Sequence, residues 1–139
     1  MIGKTAKVFY YRLYQNVFKL VMPLMPWRKP ELLEGPGSIK RVPEILARLK
    51  INNVLIVTDG MLMKLGLLDG LMQALKDHGC QYAIYDKTVP DPTIENVEEA
   101  LQMYHQQGCK AIIAFGGGSP MDCAKIVGAR VARPGKAIA

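Results

Sequence analysis

Ala111-Ile112-Ile113-Ala114-Phe115-Gly116-Gly117-Gly118-Ser119-Pro120-Met121-Asp122-Cys123-Ala124-Lys125 is the stretch on which the reading of this chain turns. Its first five residues form a short apolar run with the length and β-branched content of a buried parallel strand. Ser119, Pro120 and Asp122 then spell a helix start. Ser119 suits the N-cap, Pro120 the first helical position, where an N–H is unpaired anyway, and Asp122 can close a capping box on the Ser119 amide. Three glycines fill the turn between. A strand that ends in side-chain-free backbone and runs into a helix N-terminus gathers unpaired N–H groups and the positive end of the helix dipole at one spot. A phosphate can approach such backbone closely, and a diphosphate is its natural guest, although a glycine triplet alone also serves as a plain tight turn.

The same alternation extends upstream. Val54-Leu55-Ile56-Val57 reads as a buried strand running into Thr58-Asp59-Gly60, and Leu67, Leu68, Leu71, Met72 and Leu75 recur at helical spacing up to a Gly79 stop. Residues 81–85 form the next strand. Ile94, Val97, Leu101 and Tyr104 then line one helix face behind the rigid Val89-Pro90-Asp91-Pro92-Thr93 loop. His78-Gly79-Cys80-Gln81 and Gln107-Gly108-Cys109-Lys110 both read as helix end, glycine, strand, and their glycines lie 29 residues apart, the size of one βα unit. Strands and helices in this order predict a parallel sheet with right-handed crossovers, with ligands bound outside the carboxyl ends of the strands. Asp59, Asp91 and the glycine turn all follow strand ends, so they are expected to share one crevice.

Ahead of this core, Gly35-Pro36-Gly37-Ser38 reads as a turn followed by a cap, and Ile39, Val42, Ile45, Leu46 and Leu49 mark a helix with Pro43 near its start. Residues 1–30 form a separate extension. Phe9, Leu13, Val17, Leu20 and Leu24 recur at helical spacing, with Lys7, Arg12 and Lys19 elsewhere around the turn. Lys19, Pro23 and Pro26 break what would otherwise imitate a signal peptide, and the apolar run is too short to span a bilayer. We read this amphipathic helix as docking on its own protein or a second subunit rather than on a membrane surface, although Phe9-Tyr10-Tyr11 and Trp27 are also compatible with a membrane.

A length of 139 residues, half of them hydrophobic, is one globular domain's worth. The net charge of +6 is unevenly spread: residues 1–50 carry 10 Lys/Arg and 3 Asp/Glu, residues 51–139 carry 8 and 9. The cations are scattered singly and accompany no recognised module, which argues against nucleic-acid binding. Cys80, Cys109 and Cys123 make no Cys-x-x-Cys pair and follow no secretory signal, as expected of reduced thiols in a cytoplasmic protein. His78 and His105 lie at the C-terminal ends of predicted helices, where the dipole favours an imidazolium.

Gly116-Gly117-Gly118-Ser119-Pro120-Met121-Asp122-Cys123-Ala124-Lys125 resembles the Gly-Gly-Gly-Ser-x-x-Asp-x-x-Lys signature of the iron-containing (group III) alcohol dehydrogenases. Val57-Thr58-Asp59, Val89-Pro90-Asp91-Pro92-Thr93 and Val131-Ala132-Arg133-Pro134-Gly135 agree with that family, over roughly residues 30 to 139. The resemblance implies an α/β, Rossmann-like parallel sheet flanked by helices, residues 31–139 forming an NAD-binding domain without the all-helical metal-binding domain of the complete enzymes. It implies hydride transfer between a primary or secondary alcohol, or the matching aldehyde, and NAD, in an enzyme that is a homo-oligomer. Cofactor-binding roles fall on Asp59, Asp91, Gly117, Gly118, Ser119 and Asp122.

In the resembled family an Asp at the place of Asp59 favours NAD over NADP by repelling the extra phosphate; a turn or helix-capping Asp is the plainer reading. Asp122 needs no ligand if it closes a capping box, and Lys125 can pair with it at i, i+3. Family members hold Fe²⁺, or Zn²⁺ in the related glycerol dehydrogenase and dehydroquinate synthase group, with an Asp and three His from the second domain. Neither histidine here matches such a ligand, so no catalytic or metal residue is assigned, and the 139 residues alone are expected to be inactive. A stand-alone nucleotide-binding or oligomerisation module is the non-enzymatic alternative.

Overall fold

The computed structural model describes residues 4–25 and 30–135, with side chains from Lys7 onward in the first stretch. Trp27 and the rest of 26–29 lie outside the described residues. The chain divides into two units, Met1–Leu32 and Leu33–Ala139.

In the first unit, helix α1 (Lys4–Val21) is followed by a 3₁₀ turn over Met22–Leu24, where Pro23 removes the N–H that a continuing helix needs. Every residue from Lys7 to Met25 is exposed.

The second unit is the expected α/β sandwich. A 3₁₀ turn (Ser38–Arg41) leads into α2 (Val42–Arg48), followed by β1 (Asn53–Val57), α3 (Gly60–Lys64), α4 (Asp69–Asp77), β2 (Gln81–Tyr85), α5 (Ile94–Gln106), β3 (Ala111–Ala114) and α6 (Gly118–Ala132). The strands are parallel in the order β2-β1-β3, with Val54 opposite both Tyr82 and Ala111. β1 is the central strand, and Val54, Leu55, Ile56 and Val57 are all fully buried in it. Leu55 and Val57 pack with Val97, Ala100, Cys123 and Val127 of α5 and α6, whereas Val54 and Ile56 pack with Leu46 of α2, Leu71 and Leu75 of α4, and Leu68 at its N-cap. Burying both faces of one strand in this way is what a continuous apolar run, rather than an alternating one, encodes.

The 29-residue repeat has a stereochemical basis. Gly79 and Gly108 have φ of 67° and 64°, and each closes the same pair of bonds: Gly79 N to Lys76 O with Cys80 N to Leu75 O, and Gly108 N to His105 O with Cys109 N to Tyr104 O. These are Schellman caps that turn each helix into the following strand. A third cap of the same pattern precedes β1, with Lys50 N on Ala47 O, Ile51 N on Leu46 O, and Lys50 itself at φ 58°. Lys50, Gly79 and Gly108 are spaced 29 and 29 apart, so the repeat has three copies, the first hidden in sequence because a lysine stands where glycine is preferred.

Several local expectations change. The helix anticipated from Leu67 to Leu75 is preceded by a separate short one, α3, begun by Asp59 as N-cap. Ser38 does not cap the helical segment that follows Gly37; Gly37, at φ 76°, holds that position without a side-chain bond. β3 is less buried than its apolar sequence suggests, Ala114 being exposed, because β3 is an edge strand. A groove of about 540 Å³ runs along that edge and α6, lined by Ile112, Ala114, Met121, Lys125, Gly128 and Val131 among others.

Candidate nucleotide-binding site

Three connections leave the carboxyl ends of the strands, and the one after β1 meets both others: Asp59 bridges to Lys87 after β2, and the glycine turn lies beside it after β3. Phe115 N donates to Val57 O at 2.9 Å, extending the β1–β3 pairing one residue past β3 and bringing the glycine turn level with Thr58 and Asp59. Contact is then made through Leu62 of α3. A Cβ built on Gly116 stands 2.7 Å from Leu62 Cδ1 and 3.0 Å from Pro120 Cγ, and Gly116 has φ 134°. The first glycine of the triplet is therefore the one the fold requires, since its conformation and its neighbours both exclude a side chain.

Gly117 and Gly118 behave differently. Both are exposed, neither has positive φ, and a Cβ on either meets nothing within 4 Å. Gly117, at φ −81° and ψ −153°, is the N-cap of α6 and supplies no side-chain bond. The capping box expected from Ser119 and Asp122 is not formed. The helix begins two residues earlier, at Gly118, so half-buried Ser119 lies inside its first turn, and buried Pro120 still occupies a position with no intrahelical N–H partner. Asp122 instead pairs with Lys125, Nζ to Oδ1 at 3.0 Å, on the exposed helix surface. That is the i, i+3 pairing anticipated as its plainer role. A capping box does form at α5, where Thr93 Oγ1 accepts from Asn96 N and Thr93 N donates to Asn96 Oδ1, each at 3.4 Å.

Asp59 caps α3. Met61 N and Leu62 N both donate to its Oδ1 at 3.0 Å, which leaves Oδ2 with neither bond. Beneath it the β1–β2 junction is tied by Thr58 N to Tyr85 O at 2.9 Å. Tyr85 is 1% exposed. Its hydroxyl donates to Glu99 Oε2 at 3.1 Å and accepts from Asn96 Nδ2 at 3.0 Å. Burial is the main cause that pushes this phenol up to about 12, with the Asn96 bond opposing and the Glu99 carboxylate adding to the shift.

Asp91 lies in the β2–α5 connection at the same end of the sheet, exposed and at φ 54°, a conformation Asp tolerates better than most residues. Among the described residues no hydrogen bond or ion pair joins it to Asp59 or to the glycine turn. The sequence reading missed Gly116, whose signal lay in its place as the first residue after the strand, and Leu62, which no motif marks.

Cys80, Cys109 and Cys123 are buried and unpaired, and burial raises each thiol, most simply read as packing groups. Cys123 is also pulled slightly down by Thr88. His78 Nδ1 lies 2.9 Å from Ala74 O at the end of α4, and His105 sits in the last turn of α5. Among the described residues no three His, Cys, Asp or Glu side chains are placed to hold a metal ion, so these residues do not fit an iron or zinc centre.

The sequence profile of the iron-containing alcohol dehydrogenases matches residues 30–139. The chain is 44% identical over 97 residues to a long-chain primary alcohol dehydrogenase of Thermoanaerobacter ethanolicus, covering 67% of this chain and 24% of that one. It is 34% identical over 107 residues to an NAD-dependent methanol dehydrogenase of Bacillus methanolicus, 77% of this chain and 28% of that one. The solved NADH-dependent butanol dehydrogenase A of Thermotoga maritima superposes with a TM-score of 0.72 at 28% identity, covering 80% of this chain and 28% of that one. An α/β unit of this topology, with a glycine turn opening α6 beside a capped Asp, belongs to the iron-containing alcohol dehydrogenase family. The chain spans about a quarter of the length of the relatives it matches.

Proposed function

We propose that residues 31–139 form the NAD-binding part of a metal-dependent alcohol dehydrogenase, a cytoplasmic homo-oligomer that moves hydride between a primary or secondary alcohol and NAD. The observation that carries this reading is the packing of Gly116 against Leu62, which sets an uncapped helix N-terminus beside the Asp59 carboxylate. Gly117, Gly118 and Ser119 would receive the diphosphate at the start of α6, where open space replaces side chains and the first backbone N–H groups have no side-chain cap. Asp59 Oδ2 would accept from the adenosine ribose while Oδ1 keeps its two capping bonds. Asp91 would border the same crevice from the β2 side, and Asp122, held by Lys125, would contribute charge placement rather than a direct contact.

Bound NAD supplies the hydride acceptor; the chain's residues supply its binding and orientation. Residues other than the described ones would hold the metal. The 139-residue chain with NAD and added Fe²⁺ or Zn²⁺ is accordingly expected to produce no NADH from short alcohols.

The binding role is tested with Asp59→Asn, which keeps a capping oxygen and removes the charge. Calorimetric titration of the parent and variant with NAD and NADP should show the NAD preference falling about ten-fold, the scale of a charge-assisted hydrogen bond, with little change in stability. Equal loss for both cofactors, or none, would leave Asp59 as a cap only.

A further inference from the structure

We propose that helix α1 (Lys4–Val21) binds the surface of an anionic phospholipid bilayer, lying in the plane of the headgroups. The profile match begins at residue 30, so α1 falls outside the part shared with the family pattern. Its helical spacing puts Phe9, Tyr10, Leu13, Tyr14, Val17 and Leu20 on one side and Arg12, Gln15, Asn16 and Lys19 on the other. The apolar side is not buried: Phe9 is 69% exposed and Leu20 76%. By contrast, α4 buries its apolar residues Leu71, Ala74 and Leu75.

Charge selects the occupant. The first 30 residues carry six Lys/Arg and no Asp/Glu, and the helix itself carries Lys4, Lys7, Arg12 and Lys19. A surface rich in phosphatidylserine or similar lipids complements that one-signed charge, while aromatic rings with a polar tip, here Tyr10, Tyr11 and Tyr14, favour the boundary between headgroups and acyl chains. Among the described residues no helix is long and apolar enough to cross a bilayer, which fits a helix lying on the surface rather than spanning it. A second copy of α1 is the weaker occupant. Tyr10, Leu13, Val17, Leu20 and Leu24 follow coiled-coil spacing, yet the run is far shorter than the three to four heptads a stable seam needs. The positions beside that seam, Tyr14, Asn16, Val21 and Pro23, offer no opposite charges to pair, and the cations of two copies repel.

The test is co-sedimentation of the 139-residue chain with vesicles of phosphatidylcholine alone and of phosphatidylcholine containing phosphatidylserine. Pelleting is expected with the anionic vesicles only, and should weaken as salt is raised. Arg12→Gln/Lys19→Gln should lower partitioning about twenty-five-fold, some five-fold per cation. Leu13→Asp/Val17→Asp should abolish it without changing the melting temperature, since neither side chain is buried. Absence of pelleting, equal pelleting with neutral vesicles, or binding insensitive to both variants would overturn the proposal. So would a dimer in size-exclusion chromatography that Leu13→Asp/Val17→Asp dissociates while vesicle binding is absent.

Discussion

Two strand-to-helix turns stand side by side at the carboxyl end of this sheet, and they solve the same problem in opposite ways. After β1, Asp59 folds its own carboxylate over the start of α3 and takes up two amides, Met61 N and Leu62 N. After β3, Gly117 caps α6 with no side chain at all. The first turn satisfies its helix end internally and keeps one carboxylate oxygen over. The second leaves the first amides of a fifteen-residue helix without a side-chain cap, where an anion would complete the hydrogen bonding that the sequence omits. An acceptor and a set of donors in one crevice are complementary to a nucleotide's ribose and diphosphate, which neither turn alone would be.

The largest effect that can break this arrangement is expected at Gly116, where the two turns touch. Gly116→Ala must place a Cβ at φ 134°, 2.7 Å from Leu62 Cδ1 and 3.0 Å from Pro120 Cγ. The leucine tip can swing aside, whereas the backbone angle and the proline ring cannot, so the loss should be about 2 kcal/mol in urea unfolding. Pairing the change with Leu62→Ala should restore little of it. Full restoration would show that the leucine contact, not the backbone, requires glycine there.

Next in size is the cap itself. Asp59→Ala removes both α3 bonds and should cost about 1 kcal/mol, while Asp59→Asn should cost only a few tenths by the same denaturation measurement. Equal losses in the two variants would mean that charge, rather than the acceptor oxygen, stabilises the first turn.

The sheet was legible in advance because apolar runs and helical spacing are local signals: Val54-Leu55-Ile56-Val57 announces a strand buried on both faces, and the Gly79 and Gly108 caps announce where helices stop. Strand order, and hence the exposure of β3, depends on pairings between distant residues, which no window of sequence contains. Helix α3 was missed because Gly60–Lys64 is too short to show a period. The start of α6 was misplaced because Ser119-Pro120-Met121-Asp122 satisfies the rules for a cap, while glycines with open space around them let the helix begin earlier. The sequence marked the glycine turn as a unit, but which of its glycines the fold requires was decided by Leu62 and Pro120, contacts formed only in three dimensions.

A smaller effect, of opposite sign, sharpens the division of labour within the triplet. Gly118 opens α6 with nothing within 4 Å of a built Cβ and no positive φ, so Gly118→Ala should leave the fold intact and raise stability by about 0.5 kcal/mol through a less flexible unfolded chain. The same methyl stands where the diphosphate would approach. Thermal melting and NAD titration on one variant should therefore move in opposite directions, and a fall in both would place Gly118 with Gly116 as a requirement of the fold.

The smallest variation around neutral pH belongs to Tyr85, which supports the Asp59 turn from below through its carbonyl and anchors β2 to α5 through its hydroxyl. Burial holds its ionisation at about 12 in the folded chain, above the ordinary value of 10. A group whose folded pKa is raised contributes stability that is complete below its unfolded pKa and is lost as pH rises through the folded one. The Tyr85 contribution should thus be constant below about pH 10 and decline between about 10 and 12. The three buried thiols, also raised by burial, push the alkaline limb in the same direction, so the informative quantity is the difference between parent and Tyr85→Phe. That difference in unfolding free energy should be flat from neutral pH to about 10 and then move in favour of the phenylalanine variant, because phenylalanine has no proton to release. Absorbance titration should show two of the six tyrosines lagging in the parent, Tyr85 and Tyr104, which burial also raises, and only Tyr104 lagging in the variant. A difference that stays flat through pH 12 would mean that the hydroxyl is reached by solvent, and that the turn carrying Asp59 rests on backbone pairing, Thr58 N to Tyr85 O and Thr88 N to Thr58 O, rather than on the buried phenol.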